Sequence, residues 1–286
     1  MDADKSKLRE STMKEQIIRL YENKPPSYSK ADRELFASFL TALNQGEIRA
    51  CQMEDSIWHV NQWIKMGILV GFRMGELTTI PWSEHKLFFD KDTILEREFT
   101  LSDKIRIVPG GSSARNGCFI AQGVTIMPPA FINIGAYVDS GTLVDSHALV
   151  GSCAQIGKNV HLSAGAMIGG VLEPVGSRPV IVEDDVFIGG NTGIYEGIII
   201  KSKAVIASGT IITSSTPIYD SVHKCFIQKD SGGSFTIPTG AVVVSGSRPL
   251  KSEPGFHVSC PIIIKYRDAK TDTSVQLEND LRSVLD

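Results

Sequence analysis

The chain has 286 residues, of which 42% are hydrophobic, 7% aromatic and 21% charged, with a formal net charge of −3. That length and apolar content exclude a mostly disordered chain, and the near-neutral balance provides no basic field for nucleic acid. No apolar run approaches the roughly 20 residues of a membrane-spanning helix, and the charged start MDADKSKLRE cannot form the apolar core of a signal peptide, so a cytoplasmic protein is expected.

Residues 7–23 place Leu8, Ile17, Ile18, Leu20 and Tyr21 at roughly helical spacing. ENKPPSYSK follows and reads as a loop. Residues 30–45 set Leu35, Phe36, Phe39, Leu40 and Leu43 on one stripe behind Asp32 and Glu34, which predicts a second helix. A third helix is predicted over 60–73, and a short strand or two before residue 103. All three tryptophans, Trp58, Trp63 and Trp82, fall in this first segment, so residues 1–103 read as an N-terminal α-rich domain. The five cysteines (Cys51, Cys118, Cys153, Cys225 and Cys260) are odd in number, widely spaced and without a CxxC pair. They predict reduced thiols rather than a disulfide framework or a zinc knuckle.

From residue 104 the texture changes. Every sixth residue from Ile120 to Ile168 is a branched aliphatic: Ile120, Ile126, Ile132, Val138, Val144, Val150, Ile156, Leu162 and Ile168. Two residues before each stands a small side chain, from Cys118 through Ala136 to Ala166. The register stretches back less cleanly through Ala114 to Val108. It resumes at Val182, Ile188, Ile194, Ile200, Ile206 and Ile212. Neither a helix nor an ordinary strand has a period of six. A short strand plus a tight turn does, when laid along one side of a triangular prism. The aliphatic then fills the interior, the small residue sits in the narrowing turn, and stacked coils bury a continuous core. About 110 residues, 104–215, carry the pattern, enough for roughly six coils of 18 residues by the period itself. The residues at 169–180, GGVLEPVGSRPV, break the period and are predicted to loop out of the prism. IPTGAVVVSG at 237–246 reads as one more coil, PIIIKYRDAK at 261–270 as a strand, and VQLENDLRSVLD at 275–286 as a terminal helix. The prism is thus expected over 104–250, with a small strand and helix segment over 251–286.

The period resembles that of hexapeptide-repeat proteins, which implies a left-handed parallel β-helix and a mainly β fold. A longer likeness narrows the family. The run NIGAYVDSGTLVDSHALVGSCAQIGKNVHLSAGAMIGGVLEP at 133–174 resembles the signature of the tetrahydrodipicolinate N-succinyltransferases. So do RIVPG (106–110), MPPAFINIGAYVD (127–139), VVVSGSRP (242–249) and IIIKYRDAKT (262–271), with a looser match over 48–74. The resemblance implies transfer of a succinyl group from succinyl-CoA to the amine of 2-amino-6-oxopimelate, a small dicarboxylate, in diaminopimelate and lysine biosynthesis. It also implies a homotrimer with acyl-CoA in grooves between adjacent prisms, and no bound cofactor or metal.

Such chemistry needs a proton acceptor for the amine, cations for the carboxylates and donors for the developing oxyanion. By resemblance Asp145 in TLVDSH is the acidic residue beside the acceptor amine, and Arg106 the carboxylate-binding arginine. Alternation places Asp145 outward, one residue after the inward Val144. Asp139 occupies the equivalent phase one hexad earlier, on a different face. The family's second functional Glu has no counterpart: Gly193 stands at its place, Glu196 lies three residues on in a different phase, and Glu173 in the inserted loop is another possible acid or base. His161 and His147 are further possible bases. For CoA, position and charge select Gly190, Ala207, Ser208, Ser245 and Gly246, with Arg248, Lys265 and Lys270 for the phosphates. Three other readings stay open: an acetyl-CoA-dependent transferase of the same fold, a hexapeptide-type carbonic anhydrase with three His on zinc, and a trimeric scaffold without catalysis.

Overall fold

The computed structural model describes residues 2–83 and 86–268. Three helices open the chain: α1 (Asp2–Asn23), α2 (Lys30–Asn44) and α3 (Gln62–Met74). Helix α1 begins earlier than its apolar stripe, because the charged residues before Leu8 include good helix formers that need no buried face. A capping box starts α2: the Asp32 backbone N–H donates to Ser29 Oγ at 3.2 Å, and the Ser29 N–H donates to Asp32 Oδ2 at 2.8 Å. The predicted stripe of α2 is buried at Phe36, Phe39, Leu40 and Leu43. It packs on α3 where that helix has no side chains. A Cβ added at Gly67 would stand 2.6 Å from the Phe39 ring, and one at Gly71 2.1 Å from the Phe36 ring. Two antiparallel hairpins complete the segment, Cys51–Glu54 with Ile57–Val60 and Leu77–Ser83 with Lys86–Lys91. These four strands exceed the one or two expected, since short exposed hairpins leave little periodicity to read.

The remainder is a left-handed parallel β-helix of two-residue strands on three faces. Face one carries strands starting at Arg106, Thr125, Leu143, His161, Phe187, Val205 and Ala241. Face two carries those at Ser113, Phe131, Leu149, Met167, Gly193 and Ile211, and face three those at Phe119, Tyr137, Gln155, Ile181, Ile199 and Thr236. The aliphatic of each hexad points inward. Val138, Val144, Val150, Ile156, Leu162, Ile168, Ile188 and Ile194 are all fully buried. The small residues two before them are buried as well, as at Cys118, Ala154 and Ala166.

The first coil departs from the six-residue phase. Ile107, not Val108, pairs with Ile126. The corner 108–112 holds one residue more than its successors, and Gly110 and Gly111, at φ 143 and 93, accommodate it. Both long insertions leave the corner between faces two and three. One is the predicted 169–180. The other, 213–235, separates the strands Ile211–Ile212 and Thr236–Ile237, so the prism resumes after the sequence pattern has faded. The strand Ile262–Tyr266 then closes face one against Ala241–Val244, while the expected helix 275–286 lies outside the described residues.

The N-terminal segment lies against face three. Arg49 stacks over Tyr137, 3.4 Å from its ring centroid, and Cys51 packs with Ile181 and Ile199. Trp58 Nε1 donates to Glu183 at 3.0 Å, and that carboxylate also receives Lys201 at 2.7 Å. Burial alone would raise the Glu183 pKa, but these donors hold it below its ordinary value. Lys65 of α3 is fully buried and donates to the Ser177 carbonyl, fastening the first insertion; burial pushes its amine pKa down. Among the described residues the five cysteines are free thiols, and no helix is long and apolar enough to cross a membrane.

At the C-terminal end of face one, Asp220 is buried and accepts four hydrogen-bonding contacts. Tyr266 Oη and His223 Nδ1 each lie at 2.7 Å, and the backbone N–H groups of Val222 and His223 at 2.9 and 3.1 Å. Burial would raise its pKa, yet these contacts bring it down to about 2 from an ordinary 3.8. A carboxyl depressed in the fold stabilises fully above its unfolded pKa and loses that contribution as pH falls through the folded one. Asp220→Asn is therefore expected to lose roughly 2 kcal/mol at pH 7. Urea melts at stepped pH should show the gap to the parent closing between about pH 4 and pH 2.

Candidate active site

The corner between faces one and two carries neither long insertion, and Asp145 stands on it. Its backbone N–H donates to Leu162 O at 2.9 Å, holding the residue at the end of its strand. Its Oδ1 accepts the Ser146 N–H at 2.7 Å, which leaves Oδ2 available in a half-buried position. Ladder bonds stack Ser163, Gly189, Ala207 and Val244 above it, one per rung, with Ser245 next to Val244 and level with Ser208. Ser163 donates to Ile188 O at 3.0 Å, Gly189 to Ile206 O at 2.7 Å, and Ala207 to Val243 O at 2.8 Å. Four rungs at strand spacing span about 19 Å.

Five of the residues selected for CoA therefore share one corner with Asp145: Gly190, Ala207, Ser208, Ser245 and Gly246. The corner is narrow. A Cβ at Gly189 would stand 2.4 Å from the Ser208 nitrogen, and one at Gly190 3.1 Å from Ala164 O. A track walled by backbone can take an extended, flexible arm and offer it amide donors. Ser245 Oγ donates to Gly209 O at 3.1 Å, and Ser208 is exposed.

Arg106 is exposed on face one. Its register through Thr125 to Leu143 puts it two rungs, about 10 Å, below the strand Leu143–Val144 that precedes Asp145. Lys265 lies opposite Val242 on the closing strand and is paired with Asp268 at 3.4 Å. Arg248 belongs to a separate hairpin, Ser247–Pro249 with His257–Ser259. Lys270 lies outside the described residues.

The other candidate carboxylates are elsewhere in the protomer. Asp139 is on the corner between faces three and one, with its Oδ1 accepting the Ser140 N–H at 2.7 Å. Glu196 is on the corner between faces two and three, and its Oε2 receives the Ser214 N–H at 2.9 Å and Oγ at 2.5 Å. Glu173 and Glu196 both line a cleft of about 1070 Å³ between the two insertions and the first hairpin, together with Trp58, Arg178 and Tyr195. Asp145, Asp139 and Glu196 thus occupy three different corners, and the structure joins Glu173 to Glu196 but neither to Asp145. His147 is an exposed turn residue at φ 61, and His161 stacks on Phe187 at 4.9 Å on face one.

Sequence reasoning missed the residues that hold the insertions in place. Arg178 pairs with Asp230 at 2.6 Å and donates from Nε to Gly197 O at 2.9 Å. Burial would raise the Asp230 pKa, but Arg178 and neighbouring amides keep it low. No local motif signals a pair 52 residues apart.

Comparison with known proteins supplies the family evidence. Residues 12–74 match the family described as tetrahydrodipicolinate N-succinyltransferase N-terminal, and residues 179–214 match the hexapeptide repeat of succinyl-transferase. A curated protein of Herminiimonas arsenicoxydans, named 2,3,4,5-tetrahydropyridine-2,6-dicarboxylate N-succinyltransferase, is 44% identical over 280 residues. The alignment covers 94% of this chain and 98% of that one. Proteins of the same name from Paraburkholderia phytofirmans and Paraburkholderia phymatum are 44% and 41% identical, over 90% of this chain and 92% of theirs.

Proposed function

The chain belongs to the tetrahydrodipicolinate N-succinyltransferase family, and from that premise we propose how its own residues carry the reaction. It is an acyltransferase that moves a succinyl group from succinyl-CoA to the amine of 2-amino-6-oxopimelate, the opened form of tetrahydrodipicolinate, on the route to diaminopimelate and lysine. The amine nitrogen attacks the thioester carbonyl, the C–N bond forms, the C–S bond breaks, and CoA leaves as the thiol. Asp145 orients the amine, takes its proton through the oxygen that Ser146 leaves open, and gives that proton to the departing sulfur. Arg106 holds a carboxylate of the acceptor from the adjoining face. The arm of the donor runs up the corner past Gly190, Ala207, Ser208, Ser245 and Gly246. Lys265 and Arg248 serve its phosphates.

The observation that carries this reading is the alignment of Asp145 and the small residues above it on one uninterrupted corner. The outward column Phe131, Leu149, Met167 and Ile211 on face two supports a homotrimer. It is apolar, partly exposed and outside the face on which the N-terminal segment packs, and burying it against a second copy would remove that surface from water. A cytoplasmic location, where succinyl-CoA is available, belongs to the same reading.

A thiol-trapping assay of CoA release tests the donor assignment. Succinyl-CoA with tetrahydrodipicolinate is expected to release CoA at least about tenfold faster than acetyl-CoA, a difference of about 1.4 kcal/mol in transition-state binding. Turnover with acetyl-CoA alone would transfer the assignment to an acetyltransferase.

A further inference from the structure

Gly193 is the outward-facing residue of its two-residue strand on face two, in register with Met167 below and Ile211 above. An outward residue here should be exposed, as Met167 and Ile211 are at 39% and 45%, yet Gly193 is buried. What covers it is the Tyr195 ring, flanked by Ile211, whose Cδ1 would stand 2.9 Å from a Cβ at Gly193. A Cβ built on Gly193 would stand 2.5 Å from Tyr195 Cε2 and 2.9 Å from its Oη. A Cβ on Gly169, one rung below Tyr195, would stand 2.7 Å from its Cδ1. Two glycines therefore form the seat of one phenol ring, and any side chain at either would displace it.

The seat decides where the hydroxyl goes. The ring lies back along its own strand, so Oη is carried from the cleft corner to the surface over Gly193. Gly193 directly follows the corner that holds Gly189 and Gly190. The hydroxyl thus lies over face two, on the rung two above that of Asp145 and beside the corner that holds Gly189 and Gly190, on the wall that the proposed homotrimer turns toward the groove between adjacent prisms. Among the described residues it makes no hydrogen bond. A phenol oxygen fixed by its ring, half-buried and without a protein partner is pre-organised for an incoming polar atom.

We propose that Tyr195 is a substrate-contacting residue whose hydroxyl, seated over Gly193 and Gly169, donates a hydrogen bond to an oxygen of the substrates bound along the Asp145 corner. This rests on the assignment of that corner as the active site. The hydroxyl occupies the outward place that Gly193 leaves without a side chain. It supplies a neutral donor there, suited to a carboxylate or to a thioester oxygen that gains charge during attack.

Tyr195→Phe tests the inference cleanly, because the ring and its seat remain and only the oxygen is lost. The expected result is a fall in kcat/KM of about 10- to 100-fold, with thermal midpoint and oligomer mass unchanged. A fall in kcat assigns the contact to the thioester oxygen, and a rise in the acceptor KM assigns it to a carboxylate; either supports the proposal. Gly193→Ala should reproduce part of the loss by displacing the ring. Unchanged kcat and KM in Tyr195→Phe, with the parent active and Asp145→Asn impaired, would overturn the role of Tyr195 and leave the active-site assignment standing. A parent that does not turn over succinyl-CoA, or an Asp145→Asn variant with full activity, would bring down the assignment itself and this inference with it.

Discussion

Asp145→Asn is expected to lower kcat by about 10²- to 10⁴-fold, the usual range for removing a positioned general base, while leaving the thermal midpoint within a degree or two. The amide matches the carboxylate in shape and can still accept the Ser146 N–H at Oδ1. Its other atom becomes an –NH₂, which cannot take a proton and points donors at an amine that needs an acceptor. The loss should fall on kcat more than on the KM for succinyl-CoA, since the donor-arm corner above Asp145 is untouched. Steady-state kinetics with both substrates varied would show this. Asp139→Asn is the matched control: the same local hydrogen bond on another corner, and an expected change below about twofold.

The second large effect concerns the prism interior. Ile156 is fully buried between Val138 and Val182, its neighbours in the stacked column. Ile156→Ala should cost about 2–5 kcal/mol, the transfer free energy of the lost groups plus the cavity they leave. The upper half of that range is favoured here. Each coil is held by ladder bonds on three faces, so the walls cannot close over the hole. The measurement is the denaturant midpoint at constant m-value, since a change in slope would mean that the coils no longer unfold together.

Much of the prism was legible because a period of six leaves a mark at every rung. Inward residues such as Ile168 and Ile194 and small corner residues such as Ala154 are fixed by steric limits that recur identically, so the phase can be read from one chain. It carried across the first insertion because Val182 resumes the register. It failed in the first coil, where one extra residue at 108–112 moves Ile107 into the place expected of Val108. It also lost the second insertion, whose closing strand Thr236–Ile237 follows 23 aperiodic residues.

The candidate site was legible to the extent that it follows the phase. Asp145 and the small residues above it share a corner because their hexad positions agree, and Asp139 and Glu196 fall on other corners for the same reason. What lay beyond reach was how side chains fold back over the surface. Nothing in the spacing of Gly169, Gly193 and Tyr195 states that the two glycines hold the ring. Likewise, Lys65 buried under Ser177 is a contact between segments 112 residues apart that no local pattern encodes.

The guanidinium of Arg178 touches more of the molecule than its two partners suggest. It projects from the insertion of the fourth coil, donates to Gly197 in the fifth, and pairs with Asp230 in the insertion of the sixth. A stack of coils that meet only their neighbours can in principle fray one coil at a time from its free end. A single side chain bridging three successive coils removes that freedom locally. It merges the upper half of the prism into one cooperative block, so the rungs bearing Gly190, Ala207 and Ser208 open together or not at all, and the spacing among them stays constant while the chain breathes elsewhere.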